Sequence, residues 1–466
     1  MNASSQPLCI PALLQARAEQ LPDAPVILAP GRAPLSYRHF YRQMHTVVQQ
    51  LRTLGVGRQD RLALVLPNGP EMAVAALTVA AGATCAPLNP AYRAREFDFY
   101  LEVLHPHALI IQQGMDSPVR ARARARGMRV IELAAADDGV AGLFTLIGEE
   151  QADRAVTGFA GPDDVALVLH TSGTTSRPKV VPLTQANICT AASHLCAALA
   201  LTARDRCLNM LPLFHTYGLV ASTLTSLMTG ASTVCLAEFE AAQFFACLED
   251  FQPTWYQAVP AMHQAILAQA ARYPDMVARC RLRFIRSGST PLPPAVRTAL
   301  ERTFNATVIE GYGMVEASGP VTCNPPPFGV YKQGSIGAAI GPEVAIVDEH
   351  GALRPAGAIG EIVVRGATVM QGYENDALAN RHAFIHEWFR SGDAGYLDGD
   401  GYLFLSGRLK EMINRGGEKI APWEVDEVLM DHPAVAQAMT YAVPHPRLGE
   451  DIAAAVVLHQ DATMTA

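Results

Sequence analysis

The segment Thr171-Ser172-Gly173-Thr174-Thr175-Ser176-Arg177-Pro178-Lys179 directly follows an apolar run, Val165–His170, that is typical of a buried strand. The backbone amides of a glycine-containing loop, together with hydroxyl groups and a lysine, can bind phosphate groups. The segment is not the common P-loop, because the pattern G-x-x-x-x-G-K-[ST] is absent and Val180 follows Lys179. The run of hydroxyl residues after a buried strand therefore predicts a phosphate-binding loop rather than a flexible surface loop.

Around this loop, apolar helices alternate with short buried strands. Leu35–Leu54 predicts a turn followed by an amphipathic helix, and Glu71–Ala81 predicts an apolar helix between the short strands Arg61–Leu66 and Thr84–Leu88. Such alternation favours an α/β architecture with mostly parallel sheets.

The composition narrows the class of protein. The chain has 466 residues, 50% of them hydrophobic, and a net charge of −8. A nucleic-acid-binding protein is usually basic, so we expect no nucleic-acid partner. The nine cysteines form an odd set without a C-x-x-C pair, which argues against disulfides or a zinc site and favours a cytoplasmic protein.

Two stretches without charged residues, Met72–Tyr92 and Cys207–Ala237, are long enough to raise the question of a membrane span. Prolines and polar residues interrupt both, so we expect buried core elements and no membrane span. Met1–Gln15 has neither a basic segment nor a long apolar run, and we expect no signal peptide.

Further motifs follow the phosphate loop in a fixed order: Pro212–Gly218, Ser287–Leu292, Gly311–Glu316, Trp388–Asp393 and Gly407–Glu411. Together with Thr171–Lys179 they resemble the superfamily of adenylate-forming enzymes, which comprises acyl-CoA synthetases, peptide-synthetase adenylation domains and luciferases. Ser176, where a glycine is usual, and the segment Asn414–Ile420 are similar to the branch of oxalate–CoA ligases and coumarate–CoA ligase-like enzymes.

The resemblance implies a fold. We expect an α/β protein with a large N-terminal domain over residues 1–406, made of two α/β subdomains and a distorted β-barrel that includes the glycine-rich segment Gly334–Gly372. A small hinged α+β C-terminal domain over residues 407–466 should follow. Within it the pattern predicts a hairpin, a short helix and two strands, over Lys410–Ile420, Val425–Asp431, Val435–Val443 and Ile452–Leu458.

The resemblance also implies an activity. A carboxylate is a poor electrophile, and attack on the α-phosphate of ATP converts it into an acyl-adenylate with a good leaving group. We expect ATP, Mg²⁺ and a small-molecule carboxylic acid, and then transfer of the acyl group to the thiol of CoA or of phosphopantetheine. Catalysis of this kind depends on positioning and on stabilising phosphate charge.

By resemblance, the nucleotide and metal roles fall on named residues. Lys179, His215, Glu316 and Lys410 are the expected catalytic residues, with Glu316 as the Mg²⁺ ligand and Lys410 as the pivot of the small domain. The expected nucleotide-binding residues are Thr171, Ser172, Gly173, Thr174, Thr175 and Lys179 for the phosphates, Gly288, Ser289, Thr290, Glu310, Gly311, Tyr312 and Gly313 around adenine, and Asp393 with Arg408 at the ribose.

The acyl pocket is expected to contain His215, Tyr217, Gly218, Arg286 and Met314. Arg286 could pair with a second acidic group on the substrate, or it could be a strand-end residue that faces outward. The sequence alone does not decide between these two orientations of Arg286.

Taken singly, other site residues also have simpler interpretations. Asp393 could be a turn residue, Tyr312 a core aromatic residue, and Glu316 a carboxylate favoured by a helix dipole. His215 could pack inside a core turn.

Two departures from the family pattern bear on activity. Val315 stands where relatives carry a threonine, so a hydroxyl contact to the α-phosphate worth about 1 kcal/mol is lost. The family also carries a late lysine in a P-x-x-x-x-G-K segment, and we expect the chain, which ends at Ala466, to stop before it inside its C-terminal domain. Loss of one such preorganised donor would slow adenylation by about 10²–10³-fold.

Three functions therefore remain open. The first is an acid–CoA ligase, and the second is an adenylation or loading domain that passes its acyl group to a carrier protein. The third is a weakened nucleotide-binding module that binds ATP without turnover.

Overall fold

The computed structural model describes residues 8–136, 139–150, 158–171, 178–325, 330–416, 418–430 and 432–458. The chain divides into two compact units. The first unit comprises residues up to 330 together with 340–342 and 366–381, and the second comprises 331–339, 343–365 and the residues from 382 onward.

The helices of the first unit are α1 (Ile10–Gln20), α2 (Tyr37–Thr53), α3 (Pro70–Ala80), α4 (Ala94–Leu104), α5 (Val119–Ala125), α6 (Gln185–Ala198), α7 (Thr216–Gly218), α8 (Thr225–Thr229), α9 (Ala241–Phe251), α10 (Pro260–Ala270), α11 (Pro274–Arg279), α12 (Pro294–Phe304) and α13 (Ala377–Ala383). Helix α13 extends beyond the last segment of this unit, 366–381. Its strands are β1 (Pro25–Leu28), β2 (Leu35–Ser36), β3 (Arg61–Val65), β4 (Thr84–Pro87), β5 (Ala108–Gln112), β6 (Arg129–Ala135), β7 (Phe144–Ile147), β8 (Val165–His170), β9 (Val180–Thr184), β10 (Arg206–Asn209), β11 (Ser232–Cys235), β12 (Trp255–Ala258), β13 (Phe284–Ser287), β14 (Thr307–Met314) and β15 (Gly319–Cys323).

One sheet of the first unit has the strand order β7-β6-β5-β3-β4-β8-β9. Its strands from β6 to β8 are parallel, and the two edge strands β7 and β9 are antiparallel to their neighbours. Phe97 and Leu101 of α4 pack on the apolar face formed by Ala63, Leu109 and Val168. This sheet is the first of the two predicted α/β subdomains.

A second sheet of the first unit runs β15-β14-β13-β12-β10-β11-β1-β2. The strands from β14 to β1 are parallel, and β15 and β2 are antiparallel to their neighbours β14 and β1. Aromatic residues of α9 and of the sheet, including Phe244, Phe245 and Tyr256, fill the core on one face. The expectation of two α/β subdomains with mostly parallel sheets is therefore confirmed.

Several motifs predicted to form the site lie at the carboxyl ends of these parallel strands. Thr171–Lys179 follows β8, and Pro212–Gly218 comes three residues after β10. Ser287–Leu292 begins at the last residue of β13, next to β14, which contains Gly311 to Met314. In open α/β sheets, ligands bind outside the carboxyl ends of the strands, so the topology places these motifs where a binding crevice forms.

The second unit is built on antiparallel strands. They are β16 (Ala338–Ala339), β17 (Glu343–Val347), β18 (Gly360–Arg365), β19 (Phe384–Ile385), β20 (Trp388–Leu397), β21 (Leu403–Arg408), β22 (Ile413–Arg415), β23 (Glu418–Ile420), β24 (Val435–His445) and β25 (Gly449–Leu458), with the helix α14 (Pro422–Met430). One sheet runs β17-β18-β20-β19 with β21 on β20, and a four-stranded sheet runs β23-β22-β25-β24.

The predicted hairpin, helix and two strands near the C-terminus are confirmed. The segment expected to form a distorted barrel contributes strands to the β17–β21 sheet, and the domain boundary at 406/407 stays a prediction.

The two stretches without charge form core elements. Met72–Tyr92 contains the rest of α3 and β4, whose residues are buried. Cys207–Ala237 contains most of β10, the α7–α8 region and β11. In the part of the chain that the structure describes, no helix is long and apolar enough to cross a membrane.

Candidate active site

The phosphate loop connects the antiparallel strands β8 and β9. Its two ends are joined, because the amide of Thr171 donates to the carbonyl of Lys179 at 3.1 Å and the amide of Lys179 donates to Thr171 Oγ1 at 3.2 Å. Thr171 and Lys179 therefore form the neck of the loop. The predicted phosphate ligands Ser172, Gly173, Thr174 and Thr175 lie outside the described residues.

Glu316 and Lys179 meet through a third residue, Tyr373. The Tyr373 hydroxyl donates a hydrogen bond to Glu316 Oε1 at 2.8 Å, and Lys179 Nζ lies 4.5 Å from the centre of the Tyr373 ring. Tyr373 is buried, and its burial together with the charge of Glu316 raises the pKa of the phenol. The phenol therefore stays protonated and acts as a donor. Sequence reasoning did not identify Tyr373.

The Glu316 carboxylate fits a magnesium ion. Glu316 lies half-buried in a three-residue turn, Val315–Ala317, which is too short to supply a helix dipole, so the interpretation as a dipole-stabilised carboxylate is wrong. Among the described residues no hydrogen bond or ion pair engages its second oxygen, Oε2. No group of three or more His, Cys, Asp or Glu in the described part could hold a metal ion. A single carboxylate plus phosphate oxygens and water is a common donor set for Mg²⁺.

The adenine-side loop begins where β13 ends. Gly288 is buried, and a Cβ at this position would lie 3.0 Å from the Tyr217 hydroxyl, so the loop passes close to the predicted acyl pocket. Ser289 has a φ of +75°, which is rare for a residue other than glycine, and both Ser289 and Thr290 are exposed. The side chains of Ser289 and Thr290 are therefore accessible, as the predicted nucleotide contact requires.

The strand β14 carries the predicted residues Glu310 to Gly313 against β15. A Cβ on Gly311 would lie 2.7 Å from the carbonyl oxygen of Thr322, and one on Gly313 would lie 2.1 Å from that of Gly319. Glycine is thus required at both positions by the close approach of β15. Tyr312 is only half-buried and is therefore not a core aromatic residue.

The Glu310 side chain is already engaged. Arg297 of α12 donates to Glu310 Oε1 at 2.8 Å, and burial raises the pKa of this carboxyl while Arg297 opposes the shift. The backbone of Glu310 is engaged as well, because it pairs with Ser287 of β13 and its carbonyl oxygen accepts the amide of Asn324.

Arg286 is a buried cation. Its side chain is 3% exposed, its Nη1 donates to Gln257 Oε1 at 2.8 Å, and its guanidinium lies 5.3 Å from the centre of the Tyr217 ring. A Cβ on Gly311 would lie 3.1 Å from Arg286 Nη2. The alternative that Arg286 faces outward is therefore wrong. No ion pair joins Arg286 to an acidic residue in the described segments.

Gln257, which sequence reasoning missed, fixes this arrangement. Its amide nitrogen donates to the carbonyl oxygen of Tyr217 at 2.5 Å and to the hydroxyl of Ser222, while its oxygen accepts from Arg286. The signal that could have found it is a lone polar side chain in the buried strand Trp255–Ala258. A polar residue in such a strand must have partners.

The helical segment that carries Tyr217 and Gly218 is unusual in its middle. Between α7 and α8, Leu219–Leu224 has π-helical hydrogen bonding, and Thr223 Oγ1 donates to the carbonyl oxygen of Gly218, five residues earlier. Single π turns inside helices occur frequently at functional sites. A Cβ on Gly218 would lie 2.3 Å from the carbonyl oxygen of Pro212, so this position must be glycine.

The remaining predicted acyl residues border the same region. His215 occupies the position before α7 without a side-chain capping bond and is exposed, so it does not pack inside a core turn. Desolvation of the imidazole lowers the pKa of His215 below its usual value, which favours the neutral ring. Burial raises the pKa of Tyr217 to about 12, and Met314 is half-buried at the end of β14.

The predicted ribose and hinge residues belong to the second unit. Asp393 in β20 and Arg408 in β21 are direct partners across the strand pair, with Arg408 Nε 3.3 Å from Asp393 Oδ1. Asp393 lies inside a ten-residue strand, so the interpretation as a turn residue is wrong. Lys410 is exposed in the turn after β21, where the amide of Met412 donates to the carbonyl of Arg408.

Comparison with known proteins identifies the family of the chain. The profile of the AMP-binding enzyme family matches residues 14–374, and that of the AMP-binding enzyme C-terminal domain matches residues 424–466. The oxalate–CoA ligase of Arabidopsis thaliana is 39% identical over 97% of this chain and 89% of that protein. The sulfoacetate–CoA ligase of Cupriavidus necator is 35% identical over 99% of this chain and 91% of that protein. The structure of o-succinylbenzoate coenzyme A synthetase (MenE) from Bacillus subtilis with ATP and magnesium ion superposes with a TM-score of 0.83 at 27% identity, covering 97% and 90% of the two chains.

The chain belongs to the AMP-binding enzyme family. Within it, the chain is an ATP-dependent, AMP-forming acid–thiol ligase whose substrate is a small-molecule carboxylic acid. The predicted superfamily, its oxalate–CoA ligase branch and the α/β fold with a large and a small domain are confirmed. The roles of individual site residues, the cytoplasmic location and the absence of a nucleic-acid partner stay predictions.

Proposed function

We propose that this enzyme converts a short acid with a second anionic group into its CoA thioester, and that oxalate is the first substrate to test. The observation that carries this proposal is the buried guanidinium of Arg286, which has no acidic partner among the described residues.

A buried charge is unfavourable unless it is paired and hydrogen-bonded. Gln257 Oε1 accepts one hydrogen bond from Arg286, and the ring of Tyr217 faces the guanidinium, but neither carries a negative charge. The Nε of Arg286 has no hydrogen-bond partner among the described residues. A carboxylate or sulfonate on the substrate would supply the missing charge, whereas an aliphatic tail would leave the guanidinium unpaired.

The relatives support a substrate of this kind. Two of them are named for oxalate, which has two carboxylates, and for sulfoacetate, which has a carboxylate and a sulfonate. Both acids are short and carry a second anionic group next to the carboxylate that is activated.

In the first half-reaction, a carboxylate oxygen of the acid attacks the α-phosphorus of ATP. The bond from this phosphorus to the oxygen that bridges the α- and β-phosphates breaks, and pyrophosphate leaves. Lys179 and the neck of the phosphate loop would bind the leaving phosphates, and Glu316 would hold a Mg²⁺ ion, which supplies positive charge to them. Such preorganised charge stabilisation is the main source of catalysis in transfers of this type.

Other residues bind the adenine and the ribose of ATP in this proposal. Tyr312 stacks on adenine, with Gly288, Ser289 and Thr290 on the other side, and Asp393 accepts hydrogen bonds from the ribose hydroxyls beside Arg408. In the second half-reaction the CoA sulfur attacks the acyl carbon of the adenylate, the thiol proton is released and AMP leaves, with Lys410 as the pivot between the two half-reactions. We favour CoA over a carrier protein as the acceptor, because the relatives described above are named for CoA.

Acid-dependent exchange of labelled pyrophosphate into ATP tests the proposal. Exchange with oxalate, malonate or sulfoacetate that clearly exceeds exchange with acetate, benzoate and octanoate is expected. Mass spectrometry should then detect the CoA thioester without any carrier protein. Equal or better exchange with acetate or octanoate would refute the substrate class, and ATP binding without exchange for any acid would indicate the weakened nucleotide-binding module.

The substitution Arg286→Met isolates the proposed contact. Truncating one member of a buried charged pair typically removes a few kcal/mol, so kcat/KM for the dianionic acid should fall by about 10²-fold or more. The value for acetate should change far less. Arg206→Met is the matched control, because Arg206 lies in the same sheet, at the start of β10, and donates to Ser232 Oγ without touching the acyl residues.

A further inference from the structure

A short strap, defined as Gly366–Glu374, crosses the first unit beside the candidate site. At one end it is fastened to the turn that carries Glu316. The amide of Met370 donates to the carbonyl of Glu316 at 2.8 Å, and Ser318 Oγ donates to the carbonyl of Thr368 at 2.8 Å. The strap therefore fixes the backbone of the proposed metal ligand.

At its other end the strap is fastened to the strand that leaves the phosphate loop. The amide of Glu374 donates to the carbonyl of Val180 at 3.0 Å, one residue after Lys179. The Glu374 carboxylate also forms an ion pair with Arg61 at 2.6 Å, which joins the strap to β3. The strap thus spans the distance between the phosphate-binding lysine and the metal-binding carboxylate.

Tyr373 is the strap residue whose side chain touches both groups. Its hydroxyl donates to Glu316 Oε1 at 2.8 Å, and its ring faces Lys179 Nζ at 4.5 Å. One Glu316 oxygen is occupied by the phenol, and the other is left for an ion. The face of the Tyr373 ring attracts the ammonium group of Lys179 and so orients the lysine side chain.

We propose that Tyr373 is a positioning residue for adenylation, which orients the Glu316 carboxylate through its hydroxyl and the Lys179 ammonium through its ring. This inference rests on the proposed roles of Glu316 and Lys179. Groups that hydrogen-bond to metal-ligating side chains commonly change metal affinity or activity by about 10–100-fold when they are removed.

Two substitutions separate the two contacts. Tyr373→Phe keeps the ring over Lys179 and removes the hydrogen bond to Glu316, whereas Tyr373→Leu removes both. Tyr37→Phe is the matched control, because the Tyr37 hydroxyl also donates a buried hydrogen bond in the first unit, to the carbonyl of Ala231, but has no contact with Glu316 or Lys179. Thermal unfolding of all three variants shows whether each is folded.

The test measures ATP affinity of the full chain by calorimetry with and without Mg²⁺, beside the Mg²⁺ dependence of pyrophosphate exchange. For Tyr373→Phe we expect the Mg²⁺-dependent gain in ATP affinity to fall by about 10-fold, with a matching rise in the Mg²⁺ concentration needed for exchange. ATP affinity without Mg²⁺ and KM for the acid should not change. Tyr373→Leu should in addition weaken ATP binding without Mg²⁺, and Tyr37→Phe should do neither.

The variant Glu316→Gln distinguishes failure of this inference from failure of the proposed function. If Glu316→Gln loses the Mg²⁺-dependent affinity and Tyr373→Phe retains it, the positioning role of Tyr373 is refuted alone. If Glu316→Gln also binds Mg·ATP like the unmodified enzyme, the metal role of Glu316 is refuted and the inference falls with it. A lower unfolding midpoint for Tyr373→Phe with unchanged Mg²⁺ dependence would reveal a merely structural tyrosine and would also overturn it.

Discussion

Arg286 and Gln257 are direct partners on the neighbouring parallel strands β13 and β12, and their side chains are joined by a hydrogen bond of 2.8 Å between Nη1 and Oε1. The amide nitrogen of the same Gln257 bonds the carbonyl of Tyr217 and the hydroxyl of Ser222 in the helical segment above. The orientation of the buried cation is therefore tied to the segment that carries the predicted acyl residues. Charge at position 257 should consequently control which acids the enzyme accepts.

Replacing Gln257 by glutamate should weaken the preference for dianionic acids. The new carboxylate would lie within hydrogen-bonding distance of Arg286 and would neutralise it, and a hydrogen bond to a charged group is worth about 1.5–3 kcal/mol. We expect kcat/KM for oxalate to fall by about 10–100-fold relative to acetate, measured in parallel with both acids.

Gln257→Leu is the control for this substitution. Both variants lose the hydrogen bond that the Gln257 amide donates to the carbonyl of Tyr217, but only Gln257→Glu introduces a negative charge beside Arg286. Identical losses for the two variants, with no change in the ratio of oxalate to acetate, would show that the charge of Arg286 does not select the substrate.

The sequence could not decide which way Arg286 faces, and the reason is physical. All four residues of Phe284–Ser287 are buried, because a parallel strand inside an α/β sheet is covered on both faces. The alternation between inside and outside that identifies the core face of an exposed sheet is absent from such a strand. Only the packing of β12, β14 and the α7–α8 region around the guanidinium gives the answer.

What the sequence did predict are the features encoded locally. Strand β8 followed by a hydroxyl-rich loop, and the hairpin β22–β23, are specified by residues within a short window. Tyr373 could not be found in this way, because its contacts with Glu316 and Lys179 join segments that are distant in the chain and no local pattern marks the tyrosine. Asp393 was identified by resemblance, whereas its position inside a strand opposite Arg408 required the structure.

Restoring a hydroxyl next to the metal ligand should speed adenylation. Val315 directly precedes Glu316 in the turn after β14, and the family pattern carries threonine at this position. One neutral hydrogen bond to the α-phosphate is worth about 1 kcal/mol, so Val315→Thr should raise the rate of pyrophosphate exchange by about 5-fold. Val315→Ala, which adds no hydroxyl, is the control. An equal rate for the threonine and alanine variants would contradict a role for the hydroxyl.

The close approach of β14 and β15 makes Gly313 indispensable to the fold of the site. A methyl group at this position would lie 2.1 Å from the carbonyl oxygen of Gly319, and backbone atoms cannot yield as a flexible side chain does. Overpacking of this kind destabilises by about 1–3 kcal/mol or more, so Gly313→Ala should lower the midpoint of thermal unfolding and weaken ATP binding. Gly161→Ala is the matched control, since its methyl group would approach Asp164 Oδ2 no closer than 3.8 Å. Equal midpoints for the two variants would show that β15 can shift without cost.

Acid should destabilise the first unit through its buried histidines, and His263 offers the clearest test. His263 of α10 is fully buried against Tyr256, and burial lowers its pKa from 6.5 to about 4. Between these two values the unfolded chain binds a proton that the folded protein does not, so the contribution of this group to stability is complete above pH 6.5 and is lost as the pH falls towards 4. The loss amounts to about 3 kcal/mol by pH 4.

We therefore expect His263→Gln to flatten the decline of the unfolding midpoint between pH 7 and pH 4.5. The exposed residue His350 provides the control, and the pH profile of His350→Gln should match that of the unmodified protein. A decline of the same steepness in both variants would mean that His263 titrates normally and that the acid sensitivity arises from other groups, of which His170, with a pKa likewise lowered by burial to about 4, is the first to examine.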